Sequence, residues 1–437
     1  MPPIVLLSID TLRFDQRENM EPLLEALGTN VQVPAEPRTQ GHWTPAAHAS
    51  MFTGTHPGTH MYLGWGPDGE NHVIRPDIVT IPEFLTEHLY KCSGTAAHTR
   101  ILPEFGFGRN MHRFEINNMS ATDFITRETD SRKQVETLIK WIDIDLNHGS
   151  NRLFYFGHFF DPHGPYIPPL PFSGEGLHIQ KIKDFNEGTR NQYLERYAAR
   201  ADPIKPEYDY IKNLYSQSVN HTATQLARLI EHIKKVGLFE NALIIVTGDH
   251  GEEFGERGFY GHRSLYDANI RPFMAIKPPE GIEWPDDIRT VDHIDFLPTI
   301  AELIDTPPPE SVQGRPIQDQ RRSDLPRITE RIRPGPYNVS VEVDGKKAIF
   351  TFEGNWPFRP DVAKVADGPI LSEFYDLCKV RDGDYSDIGD ILTVHEKNEF
   401  VSIAESFIDS DNHAIAHYTD LDITEETDAL LEDLGYK

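Results

Sequence analysis

The chain has 437 residues, a length that allows one large domain, a smaller one and a substantial apolar core. Its formal net charge of −27 argues against nucleic acid or an anionic membrane as a partner, because both are polyanions. A small anionic substrate would need a local positive site, such as a metal ion, within this negative surface.

The amino terminus has a short apolar run without a basic flank, which predicts a buried strand rather than a secretory signal. No later stretch is long and apolar enough to predict a membrane span. The two cysteines, Cys92 and Cys378, lie far apart and lack the spacing of a zinc or redox pair. Free thiols and a cytoplasmic location are therefore expected.

Three near-continuous apolar runs alternate with helix-like segments, at residues 4–9, 153–160 and 243–247. Strands buried on both faces have this composition. Residues 215–236 carry apolar side chains at helical spacing and end at a glycine. The alternation predicts an α/β fold with a mostly parallel sheet covered by helices.

The chain changes in composition at two places. Residues 168–209 are rich in proline, glycine and charge, and they predict a long surface excursion near the ends of the strands. Residues 305–333 open with a run of prolines and continue with charged residues, which is typical of a linker or loose crossover. We therefore divide the chain into a catalytic domain at residues 1–325 and a smaller α+β subdomain at residues 326–437.

The smaller subdomain carries two local signals. Residues 339–352 predict a β-hairpin that turns at Asp344 and Gly345. The acidic tail at residues 420–437 predicts a short amphipathic helix.

Carboxylates and imidazoles follow the carboxyl ends of the predicted strands, where open α/β sheets bind their ligands. They are Asp10 after the first strand, Asp161 and His163 after the second, and Asp249 and His250 after the third, with His262 shortly beyond. Buried charges without partners are costly, so a divalent metal at this edge would offset the cost.

Each residue alone also has a simpler interpretation. Asp10 is equally typical of a helix N-cap, whereas Asp249 and His250 between glycines favour a metal over a polar turn.

His163 and His262, taken singly, are more typical of surface or hydrogen-bonded core histidines than of catalytic residues. Thr44 and Pro45 are also an ordinary helix start, with threonine as the cap and proline in the first turn. Only the combination of all these residues favours an active site.

The combination resembles the sulfatase branch of the alkaline phosphatase superfamily. The motifs that carry the resemblance span residues 9–13, 43–54, 161–166, 247–252, 261–267, 292–299, 313–315, 373–377 and 434–436. The resemblance implies a three-layer α/β/α sandwich of the alkaline phosphatase type with a smaller C-terminal α+β subdomain. It also implies a hydrolase of small anionic esters that uses a divalent metal ion.

The resemblance makes Asp10, Thr11, Thr44, Asp249 and His250 the metal ligands, with Thr11 at the place where sulfatases commonly have a second aspartate. Oxygen and imidazole ligands suit Mn, Zn, Ca or Mg. The number of ions, one or two, stays open, because Asp161 or His163 could help to hold a second ion.

The resemblance also assigns the catalytic residues. It makes Thr44 the nucleophile and His163 a contact to a substrate oxygen. His262 stands where sulfatases usually carry a lysine on the leaving-group side, and His48 stands where they carry an arginine that supports the nucleophile.

The threonine at position 44 departs from the sulfatase pattern, in which a cysteine or serine is oxidised to an aldehyde whose hydrate attacks sulfur. Threonine yields at most a ketone, and Ser50 lies at an ordinary serine position further along the motif. A metal-activated hydroxyl is a workable nucleophile for phosphorus, so attack by Thr44 on a phosphate mono- or diester, through a phosphothreonine intermediate, is the main prediction.

Three alternatives remain: a sulfuric ester hydrolase, a phosphoryl head-group transferase, and a metal-binding domain without activity. The expected partner is a small anionic ester, with no nucleic acid and no membrane. The sequence does not indicate an oligomeric state.

Overall fold

The computed structural model describes residues 1–64, 72–117, 131–164, 166, 168, 207–319, 325–354, 360, 368–381 and 386–410. Most of the expected surface excursion, at residues 169–206, lies outside the described residues. The expected C-terminal helix at residues 420–437 and the motif at residues 434–436 also lie outside them.

The described strands, in chain order, are β1 Ile4–Ile9, β2 Glu36–Arg38, β3 Lys91–Ala96, β4 Arg113–Ile116, β5 Leu153–Phe159, β6 Leu243–Gly248, β7 Glu253–Phe254, β8 Tyr260–Gly261, β9 Met274–Lys277, β10 Thr290–Asp292, β11 Arg327–Arg331, β12 Tyr337–Val343, β13 Lys346–Phe352 and β14 Leu371–Asp376.

The described α-helices are α1 Glu21–Leu27, α2 Thr44–Thr53, α3 Pro57–His60, α4 Ile81–Glu87, α5 Ser131–Asn147, α6 Glu207–Lys235, α7 Asp267–Ile270, α8 Phe296–Leu303, α9 Leu377–Arg381 and α10 Val394–Ser410. Short 3-10 helices lie at Phe14–Met20, Pro103–Phe105, Glu256–Gly258, His293–Asp295 and Gly389–Ile391.

The central sheet of the described chain has the strand order β4-β3-β5-β1-β6-β9. Strand β1 lies between β5 and β6 and pairs in parallel with both. Strand β9 pairs antiparallel with β6 and forms one edge. The expected mostly parallel sheet is confirmed, and its parallel strands present their carboxyl ends at one common edge.

Helices cover both faces of this sheet because alternate side chains of each strand point to opposite faces. On one face, Val5 and Leu7 of β1 belong to an apolar cluster with residues of α1, α5 and α6. On the other face, Ile4 and Leu6 belong to a cluster with residues of α2, α4 and α8. The three-layer α/β/α architecture expected from the sequence is therefore confirmed.

The antiparallel strands β11, β12, β13 and β14 form a second sheet in that order. Strands β12 and β13 form the hairpin expected from the sequence, and Asp344 and Gly345 at its turn both have positive φ. Helix α10 packs on this sheet, where Phe400 and Ala404 join the apolar side chains of the strands. The boundary at residue 325 stays a prediction.

Several element boundaries differ from the expectations. Helix α6 starts at Glu207 rather than Tyr215, and β5 ends one residue earlier than expected. The charged stretch at residues 305–333 is only partly a linker, because β11 lies within it. Its charged side chains have partners across the molecule, such as Arg327 with Asp292, so a strand forms despite the polar composition.

Both cysteines are free thiols, with Cys92 buried and Cys378 exposed. Among the described helices, none combines the length and the hydropathy that a membrane crossing requires. The cellular location stays a prediction.

Candidate active site

The central strands bring Asp10 and Asp249 together. In the parallel register, Ile9 at the end of β1 aligns with Phe159 of β5 and with Gly248 of β6. Asp10 and Asp249 are the next residues along β1 and β6, so they emerge side by side at the carboxyl edge. Both carboxylates are buried. The structure thus places the two residues that the sequence predicts as metal ligands next to each other.

Two glycines flank the Asp249 and His250 pair because the backbone is crowded there. A Cβ atom at Gly248 would lie 2.3 Å from the carbonyl oxygen of Leu12, and one at Gly251 would lie 2.0 Å from that of Ala268. Only glycine accommodates approaches this close. The pattern of two ligands between glycines therefore reflects a tightly enclosed turn.

The two aspartates repel each other in a water-poor environment. Burial, with the nearby charge of Asp249 as a second cause, raises the pKa of Asp10 to about 7. Burial likewise raises the pKa of Asp249 to about 8, although the backbone N–H groups of His250 and Thr11 donate to its Oδ1 at 2.8 and 3.0 Å. A cation placed between the carboxylates would remove this repulsion.

Thr44 is the first residue of α2, and its hydroxyl faces the aspartate pair. Trp43 is the N-cap, in an extended conformation and without a side-chain capping bond, so the simpler interpretation of Thr44 as the cap does not hold. The Thr44 side chain is free to point away from the helix axis. Its Oγ1 lies 3.4 Å from Oδ2 of Asp10 and 3.2 Å from Nε2 of His250.

Backbone carbonyls fix the tautomers of two histidines beside Thr44. Nδ1 of His250 lies 2.8 Å from the carbonyl oxygen of Gly251, so Nδ1 carries the proton and Nε2 presents a lone pair. In the same way, Nδ1 of His48 donates to the carbonyl oxygen of Thr44 at 2.9 Å. Burial lowers the pKa of both imidazoles, which favours the neutral forms.

The residues present fit a divalent cation. Asp10, Asp249 and His250 offer ligand atoms that all lie within 4.8 Å of one another. Among the described residues, Oδ1 of Asp10 and Oδ2 of Asp249 have no hydrogen-bond partner although both are buried. Buried carboxylate oxygens are satisfied in folded proteins, so these atoms suit a cation, and the neutral Nε2 of His250 adds a nitrogen ligand.

A second, overlapping set consists of His48, His158 and Asp249, also within 4.8 Å. Nε2 of His158 lies 3.3 Å from Oδ2 of Asp10, and burial lowers the pKa of His158 to about 3. His158 was not among the predicted site residues. The signal that could have found it is a histidine inside the otherwise apolar run of β5, because a titratable residue there needs a specific reason.

His163 and His262 lie nearer to the surface than the aspartate pair, and their ring centres are 5.6 Å apart. His163 stacks on Phe160 with the ring centres 4.4 Å apart. The ring of His262 lies 4.6 Å from that of His250, and its side chain is 24% exposed. These two histidines form the accessible side of the site, as their predicted contacts with a substrate require.

Glu252 is a buried carboxylate that contacts His262 on this accessible side. Its carboxylate accepts a hydrogen bond from the hydroxyl of Tyr166 at 2.9 Å and lies 3.4 Å from Nδ1 of His262. Burial raises the pKa of Glu252. Burial and the neighbouring imidazole of His250 hold the pKa of His262 well below its usual range, so His262 is neutral near pH 7.

Asp161 and Thr11, which the sequence predicts near the metal, make hydrogen bonds that connect segments around the site. Asp161 accepts hydrogen bonds from the backbone N–H and the hydroxyl of Ser131, the first residue of α5. The backbone N–H of Thr11 donates to Asp249, as described above. The Thr11 hydroxyl is buried and makes no hydrogen bond among the described residues. Asp10 is followed by Thr11 at φ 57° and so does not cap a helix.

Comparison with known proteins gives the family of this chain. The family model described as Sulfatase matches residues 4–306, more than half of the sequence. The chain belongs to the sulfatase family. It is accordingly a member of the alkaline phosphatase superfamily, the sulfatase family indicates an ester hydrolase, and sulfatases generally bind a divalent metal ion.

Individual relatives are distant. An ulvan-active sulfatase of Formosa agariphila is 27% identical over 144 residues, which cover 32% of this chain and 23% of that protein. An arylsulfatase of Clostridium perfringens is 22% identical over 268 residues, covering 59% of this chain and 49% of that protein. The matches thus span at most about half the length of these two relatives.

Solved structures of other proteins share the fold of this chain over nearly its whole length. A phosphonate monoester hydrolase from Silicibacter pomeroyi is 16% identical, with a TM-score of 0.66 over 98% of this chain and 98% of that chain. At this identity the likeness shows the fold alone. The alkaline phosphatase-like architecture expected from the sequence is thereby confirmed.

Proposed function

We propose that this sulfatase-family chain is a metal-dependent ester hydrolase in which the hydroxyl of Thr44 is the nucleophile. The observation that carries the proposal is the position of Oγ1 of Thr44, 3.4 Å from Asp10 and 3.2 Å from His250. A nucleophile and its activating groups lie at such distances in related catalytic arrangements. Thr44 does not cap its helix, and its hydroxyl contacts the Asp10 carboxylate and the His250 ring instead.

Asp10, Asp249, His250 and Thr44 would hold the metal ion. When bound, the ion would lower the pKa of the Thr44 hydroxyl and polarise the ester group. Mn, Zn, Ca and Mg are all compatible with carboxylate and imidazole ligands, and the number of ions stays open.

The other residues position groups and donate hydrogen bonds. Nδ1 of His48 donates to the backbone carbonyl oxygen of Thr44 and thereby stabilises the first turn of α2. His262 would donate an N–H group to an ester oxygen or to the leaving oxygen on the accessible side, and His163, whose Nδ1 donates to the carbonyl oxygen of Gly164, would do so from Nε2 in its protonated form. Because burial keeps His262 neutral, it has a single N–H, which lies on Nε2 when Nδ1 accepts from the carboxyl group of Glu252, whose pKa burial raises.

Two substrate classes compete. The nucleophile favours phosphorus esters, because a threonine hydroxyl cannot become the aldehyde hydrate on which sulfatases depend. The relatives favour sulfate esters, since those named from curated sequences are sulfatases, and phosphonate monoester hydrolases enter among the solved structures. On the comparisons alone, sulfuric ester hydrolysis is the better supported of the two. The phosphoryl head-group transferase has no observation in its favour.

A substrate panel decides between the two classes. The wild-type chain is assayed with 4-nitrophenyl phosphate, bis(4-nitrophenyl) phosphate, 4-nitrophenyl phenylphosphonate and 4-nitrophenyl sulfate, each with Mn, Zn, Ca and Mg. We expect the phosphorus esters to have the higher kcat/KM and the activity to disappear in Thr44→Ala. A higher kcat/KM for the sulfate would establish the second class instead. Equal turnover by Thr44→Ala would rule out Thr44 as the nucleophile.

The expected partner, a small anionic ester, belongs to this proposal. The exclusion of nucleic acid and of membranes as partners and the cytoplasmic location stay predictions from the sequence.

A further inference from the structure

The ends of β1, β5 and β6 direct side chains to the face of the central sheet that α2 covers. The apolar cluster on that face contains even-numbered residues of β1 and β5 and odd-numbered residues of β6. Because side chains alternate between the two faces of a sheet, Asp10, His158 and Asp249 continue these three series. The structure therefore collects two carboxylates and an imidazole beneath α2.

His48 adds a second imidazole from α2 itself. Its ring centre is 4.8 Å from that of His158, and His48, His158 and Asp249 offer ligand atoms that all lie within 4.8 Å of one another. Nδ1 of His48 donates to the carbonyl oxygen of Thr44 at 2.9 Å, which leaves the lone pair on Nε2. Metal-bound histidines commonly donate their other N–H group to a backbone carbonyl in this way.

The polar atoms of these three residues, which we call the His48 cluster, are buried without hydrogen bonds. Among the described residues, Nε2 of His48, both ring nitrogens of His158 and Oδ2 of Asp249 have no hydrogen-bond partner. All three side chains are fully buried. Buried polar atoms are satisfied in most folded proteins, so a cation that accepts their lone pairs accounts for this arrangement.

The two aspartates face the His48 cluster and His250 at the same time. Oδ1 of Asp10 lies 3.9 Å from Nε2 of His250, while Oδ2 of Asp10 lies 3.3 Å from Nε2 of His158. Oδ2 of Asp249 lies 3.4 Å from Nε2 of His250 and 3.6 Å from Nδ1 of His48. Carboxylates with an imidazole on either side are suited to bridge two cations, which lie about 3.5–4 Å apart in two-metal sites.

The residues that the sequence predicts for a second ion make other contacts. Asp161 accepts hydrogen bonds from the backbone N–H and the hydroxyl of Ser131. Nδ1 of His163 donates to the carbonyl oxygen of Gly164 at 2.8 Å, and its ring stacks on Phe160 at the accessible side. A second ion is therefore better placed at the His48 cluster than at Asp161 or His163.

The charge of the site also favours a second ion. One divalent ion only neutralises the two carboxylates of Asp10 and Asp249. A second ion, bound largely by neutral imidazoles, leaves a net positive charge at the centre. The chain has a net charge of −27, so an anionic ester needs such a local positive site.

We propose that His48, His158 and Asp249 form a second divalent-cation site. Asp249 bridges this site to the first ion, which Asp10 and His250 hold. Two imidazoles and one carboxylate are a common ligand set for zinc, so zinc is the expected occupant. This inference rests on the proposed function for the first ion, and it adds the second ion and its ligands.

A purely structural role for the His48 cluster makes a different prediction. The rings of His48 and His158 meet edge to face, and the ring centre of Phe156 lies 6.1 Å from that of His48. If the cluster only packs aromatic rings, His158→Phe keeps that packing and leaves the metal content unchanged. If the cluster binds a cation, the same variant loses the ligand nitrogens and one ion.

The test is the zinc content of the full chain, stripped with EDTA, dialysed against buffered zinc and measured by plasma mass spectrometry. Wild type, His158→Phe, His48→Gln and His250→Gln are compared with the control His293→Gln. His293 is a buried histidine outside both ligand sets, with Nε2 3.0 Å from Oγ1 of Thr247. We expect two equivalents in wild type and in the control, and one equivalent in each of the other variants.

One equivalent in wild type would overturn the inference, and this measurement needs no variant. Two equivalents in folded His158→Phe or His48→Gln would overturn it as well, because the second ion would then lie elsewhere. Circular dichroism in EDTA establishes that each variant is folded, and either of these two variants is sufficient for the comparison.

The zinc content separates this inference from the proposed function, because it does not depend on turnover. Two equivalents that fall to one in His158→Phe, in a wild-type chain that hydrolyses no ester, support the inference while the proposed function fails. One equivalent in a wild-type chain that hydrolyses esters through Thr44 overturns the inference and leaves the proposed function intact.

Discussion

The hydroxyl oxygen of Thr44 lies 3.2 Å from Nε2 of His250, on the lone-pair side of the imidazole. The two residues come from the first turn of α2 and from the end of β6, which are far apart in sequence. His250 cannot turn this nitrogen away, because Nδ1 is held by the carbonyl oxygen of Gly251. The proposed nucleophile and one proposed metal ligand are therefore fixed relative to each other before any substrate arrives.

The Asp249→Asn variant should lose its metal ion and gain stability in the metal-free form. The asparagine Oδ1 can still accept from the backbone N–H groups of Thr11 and His250, while the buried charge disappears. We expect the metal content by plasma mass spectrometry to fall to background and Tm in EDTA at pH 8 to rise.

The control for this variant is Asp287→Asn, which removes an exposed carboxylate outside the site. It should change neither the metal content nor Tm. Retention of a full equivalent of metal by Asp249→Asn would contradict the ligand assignment.

The buried aspartate pair should make the metal-free protein less stable as the pH rises, relative to the Asp249→Asn variant. Asp10 and Asp249 have pKa values raised to about 7 and about 8 by burial, whereas both titrate near 3.8 when unfolded. Between these limits the folded pair binds more protons than the unfolded pair, so its contribution to the free energy of unfolding falls with increasing pH. This contribution is fully present below about pH 4 and is lost by about pH 8. The buried histidines, whose pKa values are lowered, give the opposite trend below about pH 7, so the comparison with Asp249→Asn isolates the aspartates.

Urea unfolding in EDTA, from pH 5 to pH 8, measures this effect. Metal binding should show the reverse trend and strengthen with pH, because the ion displaces the two protons. The free energy of unfolding of the metal-free wild type should fall relative to that of Asp249→Asn as the pH rises, because the buried histidines contribute equally to both proteins. A difference between the two proteins that stays constant from pH 5 to pH 8 would be inconsistent with a buried aspartate pair.

Removal of the His262 side chain should lower kcat/KM most for esters with poor leaving groups. A hydrogen bond to the leaving oxygen becomes more valuable as that oxygen becomes more basic. We expect His262→Ala to lower kcat/KM by about 10²-fold or more for phenyl esters, and less for 4-nitrophenyl esters. The measurement is the dependence of log kcat/KM on the pKa of the leaving phenol.

In His262→Ala this dependence should become steeper, and His262→Asn, which keeps an N–H donor, should restore part of it. The control His148→Ala changes an exposed histidine at the end of α5. Identical slopes for wild type and His262→Ala would place His262 outside the leaving-group contact.

Buried ion pairs should stabilise the junction between the second sheet and the rest of the fold. Glu342 of β12 accepts from Arg38 at 2.6 Å and lies 3.5 Å from Lys347 and 3.8 Å from Arg327. Glu342→Gln removes one of the two carboxylates that Arg38 and Lys347 share, while Asp267 still pairs with both cations, so we expect the free energy of unfolding to fall by roughly 1.5–3 kcal/mol. Urea unfolding checks this, with the exposed Glu302→Gln as the control.

The sequence predicted the part of the fold that depends on apolar patterning. The buried strands at β1, β5 and β6 appear as apolar runs because both faces of a parallel sheet are covered, and Asp10 and Asp249 follow directly from their ends. Strand β11 was missed because its side chains are mostly charged, and only long-range ion pairs and hydrogen bonds make them compatible with a strand.

The candidate site was predictable where a local motif exists and was missed where only the fold brings residues together. Thr44, Asp249 and His250 lie in contiguous motifs, so the resemblance identified them. His158 lies outside every motif of the resemblance, its one signal is a histidine inside the apolar run of β5, and it acquires its neighbours through pairing of strands distant in sequence. The simpler interpretation of Thr44 as a helix N-cap does not hold, because the extended Trp43 takes that position.

The most direct test of Thr44 as the nucleophile is to trap a covalent intermediate. The metal-loaded chain is mixed with its best substrate from the ester panel, quenched in acid during turnover and digested, and the peptide that contains Thr44 is analysed by tandem mass spectrometry. We expect an added phosphoryl group, or a sulfuryl group if the substrate is a sulfate, on the oxygen of Thr44, and no adduct in Thr44→Ala. An active enzyme whose Thr44 peptide stays unmodified, with the adduct on another residue such as Ser50, would contradict the assignment.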